Sequence, residues 1–259
     1  MEKKALTEKA PTGYISPDLK ELEKFTLACL FTLIVFGVVA SFVDVAWFEE
    51  VYTVEDGFIE WLTVLPLVAV FFFCVFRITL RWRTASVQFL LGTSLIALLA
   101  ILAIGEEISW GQRIFEIESS SFFKENNAQQ ETNLHNMVVQ GVKLNKIIFS
   151  QLLAGAAALY LLALPWLYSK NESIKALADG WAVPVPRLYQ IIAFLSLFAL
   201  VSICPSGKRA ELMEMAATTL FSLILFYPAN PREIPHFIQK HQPKLAIWFT
   251  PWSLCQQKQ

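Results

Sequence analysis

The sequence predicts an all-α fold, a polytopic membrane helix bundle of about six transmembrane helices. Three observations predict it. The chain is 55 % apolar over 259 residues and only 17 % charged, where soluble domains carry about a quarter charged residues. Phe (21) and Trp (8) are heavily used, as lipid-facing helices allow. Apolar runs approaching the ~20 residues that cross hydrocarbon at 1.5 Å rise recur along the chain. The formal net charge of −1 gives no basic footprint, so no nucleic-acid partner is implied; the lipid bilayer is the implied partner.

Residues 1–24 are polar and hold Pro11, Gly13 and Pro17. They read as a loose cytoplasmic leader with no secretory signal, so the first span, Phe25–Val43, stays as an anchor. The second span is Phe58–Phe76, with Pro66 as an expected kink. The third is Val87–Ile104. The fourth, Ile147–Tyr168, contains the small-residue patch Ala154–Ala158, which lets helices approach closely. The fifth is Leu188–Cys204. The sixth is Leu212–Tyr227, the weakest as a span because Glu211 and Glu214 stand at its start. Together residues 25–228 form the transmembrane domain, with an outer-face polar segment over 105–146. Residues 229–259 form a cytoplasmic or interfacial tail. Its prolines prevent a long helix, and Trp248, Phe249 and Trp252 suit a membrane interface. Cys29, Cys74, Cys204 and Cys255 have no metal spacing and read as small apolar residues.

Orientation follows from Lys and Arg. Lys3, Lys4, Lys9, Lys20 and Lys24 precede span one, and Arg77, Arg81 and Arg83 follow span two. Lys170, Lys175 and Arg187 separate spans four and five, and Arg232, Lys240 and Lys244 follow span six. These fall on one side if both termini are cytoplasmic, Lys208 and Arg209 being the exception. The segment after span one has only acids, among them Asp44, Glu49, Glu50, Glu55, Asp56 and Glu60.

Gly105-Glu106-Glu107-Ile108-Ser109-Trp110-Gly111-Gln112-Arg113 follows directly on span three. Two carboxylates beside hydrocarbon cost roughly 2.5–3.5 kcal/mol each on insertion scales, which a plain span would not spend. Taken as a helix, 105–117 puts Glu106, Trp110 and Arg113 on one face, with Arg113 holding Glu106 ionised. A second cluster is Glu131-Thr132-Asn133-Leu134-His135-Asn136. On a helix Glu131 and His135 project together, as two ligands of one metal would, and Asn133, Asn136 and Gln140 form a polar stripe. His236 and His241 sit in the tail, leaving His135 as the imidazole on the side of Glu106 and Glu107. Glu60, entering span two from the outer side, lies at the same level. Glu106, Glu107, His135 and Arg113 are therefore the candidate catalytic residues. Glu60, Glu107, Glu131 and His135 are the candidate ligands of a divalent Zn, Mn or Fe ion. Trp110, Gln112, Asn133 and Asn136 are expected around them, against substrate or behind the ligands. Ser109 has no adjacent base in the sequence and is not expected to be a nucleophile.

The order Glu55-Asp56-Gly57 with Glu60, then the 105–113 motif, then 131–136, resembles a group of bacterial multi-pass membrane proteins of unassigned function. The resemblance covers roughly residues 50–140 and implies the bacterial inner membrane. A slighter similarity is to the CAAX-protease and bacteriocin-processing family of intramembrane metalloproteases, in which a paired Glu precedes an Arg and later helices bring His. Glu106 and Glu107 match the pair and His135 a later His. Arg113, however, lies six residues past Glu107 rather than four. Residue 131 is Glu where that family has Phe, and a third His motif in a span is missing. The residues themselves point to a membrane-embedded, hydrolase-like enzyme, metal-dependent where the candidate ligands hold an ion, acting on a lipidic or amphipathic substrate, with Arg113 orienting a carboxylate or an anionic headgroup. A proton- or ion-coupled transporter and a non-catalytic scaffold or assembly factor are the alternatives.

Overall fold

A computed structural model describes residues 17–139, 141–143 and 153–230. Outside them lie the start of the leader, Gln140, the first residues of the expected fourth span, and the tail with His236, His241, Trp248, Phe249, Trp252 and Cys255. Among the described residues three helices are long and apolar enough to cross a membrane: Glu21–Val43, Phe58–Arg81 and Val87–Glu107. They belong to α1 (Pro17–Val43), α3 (Phe58–Arg81) and α4 (Val87–Glu107). Between α1 and α3 come the single turn α2 (Val45–Trp47), started by the Asp44 carboxylate accepting from Trp47 N–H, and a π turn over Phe48–Tyr52. Beyond α4 follow α5 (Ser121–Asn126) and a hairpin of two two-residue strands, β1 (Val138–Val139) and β2 (Val142–Lys143). Helical structure resumes with α6 (Leu153–Ala158), a π turn over Leu159–Ala163, α7 (Leu164–Lys170) and α8 (Glu172–Gly180). It ends with α9 (Leu188–Ser202) and α10 (Arg209–Phe226).

The first three expected spans thus appear as helices long and apolar enough to cross a membrane, with shifted ends, while the expected fourth span begins outside the described residues and continues as α6, a π turn and α7. α9 is a shorter apolar helix, and α10 is an 18-residue helix that begins before Glu211. α3 runs through Pro66 unbroken and continues past Phe76 to Arg81. It extends because Arg77 and Arg81 lie over the ring of Phe89 at 4.9 and 4.7 Å; each long stem covers apolar surface while the cation rests on an aromatic face.

α3 packs against both α4 and α10, and α10 packs on α1 and α9. Ile34, Phe48, Leu197, Leu212, Met215 and Leu220 form the buried centre between α1, α9 and α10. Val70, Cys74, Ala97, Ala100 and Leu225 close the α3–α4–α10 seam. Lipid competes equally well for apolar side chains, so close packing and hydrogen bonds set such contacts. Ser222 of α10 donates to the Pro66 carbonyl of α3 at 3.2 Å. At one end of the bundle Ser206 donates to Glu49 and Lys208 Nζ approaches the Thr53 carbonyl. At the other, Gln190 Nε2 and the Tyr189 hydroxyl both donate to Glu23. The start of α3, the end of α4 and the start of α10 lie at the first of these ends, and there the polar segments gather.

Candidate functional site

α4 stops at Glu107 because the next residues turn the other way. Ser109, Trp110 and Gly111 have φ of 47°, 55° and 77°. Gly tolerates that region; the two L-residues cost roughly 1–2 kcal/mol each there. The turn folds the Trp110 indole back over Gly105, where an added Cβ would stand 2.8 Å from the ring. The two glycines of the motif therefore have separate tasks: one makes room for Trp110, the other takes the left-handed backbone. The expected helix over 105–117 is corrected accordingly. Trp110 Nε1 still donates to Glu106 at 3.2 Å, but Arg113 is carried away from Glu106.

Arg113 instead gathers three other carboxylates. Its Nη1 lies 2.8 Å from Glu131, and its Nη2 lies 3.0 Å from Asp56 and 3.3 Å from Glu60. Glu60 also accepts from Asp56 N–H at 2.7 Å. Behind this ion cluster Glu131 accepts from the buried Ser109 hydroxyl at 2.6 Å and from Asn133 Nδ2 at 3.0 Å. Gln112 Oε1 accepts from Thr132 N–H at 2.7 Å and from the Ser119 hydroxyl at 2.9 Å. One guanidinium thus pins the α3 entry, the 109–113 turn and the 131–133 segment together.

The 131–137 segment is not a helix either. Asn side chains satisfy its backbone in place of helical bonds: Asn127 Oδ1 accepts from the N–H of Gln129 and Glu131, and Asn133 Oδ1 accepts from Asn136 N–H. Glu131 and His135 consequently diverge. Glu131 turns to Arg113, and His135 Nε2 lies 3.8 Å from Glu214 of α10. Glu106 fixes this stretch, accepting from the N–H of Leu134 at 2.6 Å and of His135 at 2.9 Å. Asn136 donates to Gln129, which donates to Glu55.

Arg113, Gln129, Asn133, His135 and Asn136, with the surrounding glutamates, border one cavity of about 400 Å³, counting the part open to solvent. Seven Glu line it (55, 60, 106, 107, 131, 211 and 214), with His135 and, as the only Lys or Arg among the described residues of its lining, Arg113. The carboxylates divide into two sets. Glu55, Glu60, Glu106 and Glu131 are held by donors. Glu107, Glu211 and Glu214 receive no side-chain hydrogen bond from the described residues; Glu107 feels the charge of Glu211, Glu214 that of Glu107 and Glu211, and Glu211 that of Glu60 and Glu55. Burial pushes the His135 imidazole below its ordinary range, against the opposing pull of the Glu106 carboxylate.

The candidate metal ligands come to the same cavity but do not form one ligand set. Glu60 and Glu131 are turned to Arg113, while Glu107 and His135 stay on the α10 side. Among the described residues no group of three or more His, Cys, Asp or Glu has the spacing to hold a metal ion. Glu211 and Glu214 line the same cavity, although in the sequence they read only as flaws in a span. Their signal was the intrusion itself: acids three apart in an otherwise apolar helix face the bundle, not lipid. Ser109, placed outside the chemistry by the sequence, is here a buried link between Glu131 and Asn133. Comparison of the chain with protein-family models, curated proteins and solved structures finds no match.

Proposed function

We propose that the chain is a six-span bacterial inner-membrane enzyme, both termini cytoplasmic, that acts by acid–base chemistry on a lipidic or amphipathic substrate at the outer face. One observation carries this reading. Within a single cavity, Glu60, Glu106 and Glu131 are fixed by donors, while Glu107 and Glu214 are left without any among the described residues, beside His135. A scaffold would satisfy such groups, since an unsatisfied buried carboxylate is costly. A catalyst leaves them to exchange protons with a substrate, in the way a general acid–base pair must.

In this reading Glu107 is the base, His135 and Glu214 are its proton-exchanging partners, and Arg113 and Glu106 are positioning residues. Arg113 spends its guanidinium on three carboxylates, so it is not the headgroup anchor that its position in the sequence suggested. Hydrolysis is the commonest reaction of such groups. The reading is tested by comparing the lipids of cells that produce the chain with those of cells that produce Glu107→Gln. Lipid species altered only by the unsubstituted chain are expected; identical profiles overturn the enzyme reading. Proton flux in vesicles without any lipid change would support the transporter instead.

The topology has its own test. Reporter fusions after Tyr52, Glu125 and Lys208 are expected to report the outer side, and those after Arg83 and Lys175 the inner side. The contact of Lys208 with Thr53 supports Lys208 sharing the side of Tyr52 despite its charge. An inner-side result at Glu125 would move the site to the cytoplasmic face.

A further inference from the structure

We propose that residues 110–122 are a lipid-inserted wedge, lying in the leaflet at the cavity end of the bundle instead of capping that end from water. For a water-facing loop the segment is built inside out. Its polar side chains turn into the protein: Arg113 holds Glu60 and Glu131, Gln112 accepts from Thr132 N–H and from the Ser119 hydroxyl, and Ser119 is buried. Its large apolar side chains turn out. Trp110, Ile114, Phe115, Ile117 and Phe122 are 50 to 71 % exposed. Single exposed apolar residues are ordinary on a soluble surface, but five in one short segment mark a contact with something apolar.

The turn at Ser109–Gly111 points to lipid as that neighbour. It sends the chain back toward the span it has just left, and the Trp110 indole lies on Gly105, in the last turn of the span Val87–Glu107. Leu98, Ile101 and Leu102 stand seven, four and three residues before Gly105, so they share its face of α4, and all three are exposed. Trp110 thus stands at the end of a stripe that hydrocarbon covers, and the rest of the wedge follows from it. Its Nε1 donates to Glu106 at 3.2 Å. The apolar body of the ring continues the stripe while its polar edge meets the site, the arrangement that places Trp at membrane boundaries.

The charges set the depth. Glu116 and Glu118 are exposed, and Glu118 pairs with Lys124 at 2.8 Å. Interleaved with Phe115, Ile117 and Phe122, they belong among headgroups, so the apolar side chains reach roughly 5–10 Å into the boundary of headgroups and acyl chains. Glu116, Glu118 and Glu125 outnumber Lys124 in and just after the segment. Apolar burial therefore drives the contact, not attraction to anionic lipid. The wedge holds in zwitterionic lipid and in high salt, where a basic surface patch would let go.

The wedge follows from the span and the turn alone, so its test is independent of the enzyme reading; on the topology proposed above its leaflet is the outer one. Two measurements use the full chain in phosphatidylcholine vesicles. Phosphatidylcholine brominated near the headgroup end of its acyl chains is expected to quench the part of the emission that is lost in Trp110→Phe. For the second, Cys29, Cys74, Cys204 and Cys255 are replaced by Ala, and a nitroxide is attached through Phe115→Cys, Ile117→Cys, Glu118→Cys or Glu125→Cys. Oxygen enters lipid and a nickel chelate stays in water. The ratio of oxygen to nickel collisions is expected to be several-fold higher for Phe115→Cys and Ile117→Cys than for the other two, in low and in high salt. Equal ratios at all four positions overturn the proposal and make the segment a cap in water. Spin–spin broadening in Phe115→Cys that disappears on dilution with unlabelled chain overturns it in favour of a second copy on this face. The quenching measurement needs no cysteine replacement, so it decides alone if the cysteine-free chain fails to fold: unquenched Trp110 emission overturns the wedge.

Discussion

Arg113→Met is expected to destabilise the protein by about 3 kcal/mol and to abolish function. Breaking a buried ion pair from one side costs about 3–5 kcal/mol, because the charge left behind has lost its partner. The lower end applies here, since the Arg113 side chain is 27 % exposed and Asp56 is 54 % exposed. Glu60 and Glu131, each only 11 % exposed, are the groups that suffer. Thermal or denaturant unfolding in detergent reads the loss. Arg113→Lys keeps the charge but gives up the planar fork that reaches Glu131 through one nitrogen and Asp56 and Glu60 through the other, so an intermediate loss is expected. In the double variant with Glu131→Gln, the second change is expected to cost less than it does alone, because one stranded charge has gone. A stable Arg113→Met would show that the three-carboxylate clamp does not hold the segment.

The helices were legible because apolar length is a one-dimensional property. α1, α3 and α4 follow from it directly, and their ends moved only where side chains outside the pattern contributed, as Arg77 and Arg81 did by resting on aromatic rings. The site was legible as a list of residues and illegible as geometry. Spacing arguments at 105–117 and 131–140 assumed helical periodicity. The left-handed turn at Ser109–Gly111 and the Asn-capped segment around Asn127 and Asn133 each break that periodicity. Gly105 and Gly111 were visible hints of the first break, but a glycine does not say which ring or turn needs it. Pairings across 20 to 150 residues, such as His135 with Glu214, have no local signature at all. Glu211 and Glu214 were visible too, and were discounted because a hydropathy pattern treats an acid as noise where the folded bundle gives it a direction.

Adjacent residues of the same type, Glu106 and Glu107, are expected to respond to the same substitution with opposite signs. Glu106→Gln weakens three accepted hydrogen bonds, from Trp110, Leu134 and His135. Two of these hold the backbone of the His135 segment, so stability is expected to fall by about 1–3 kcal/mol. Glu107 accepts no hydrogen bond from the described residues, and Glu211, Glu60 and Glu106 repel it. A neutral amide there carries neither the burial cost of a carboxylate nor that repulsion, and Glu107→Gln is expected to gain stability on the order of 1 kcal/mol. Function moves the other way. Losing a base that takes part in proton transfer lowers rate by roughly 10²–10⁴, so the Glu107-dependent lipid change should vanish in a protein that melts later than the original. That is the trade expected where a site keeps groups unsatisfied for chemistry. Melting curves and lipid profiles measured on the two single variants decide it. A Glu107→Gln protein that melts earlier, with its lipid profile unaltered, would make Glu107 a structural carboxylate and move the base to Glu214.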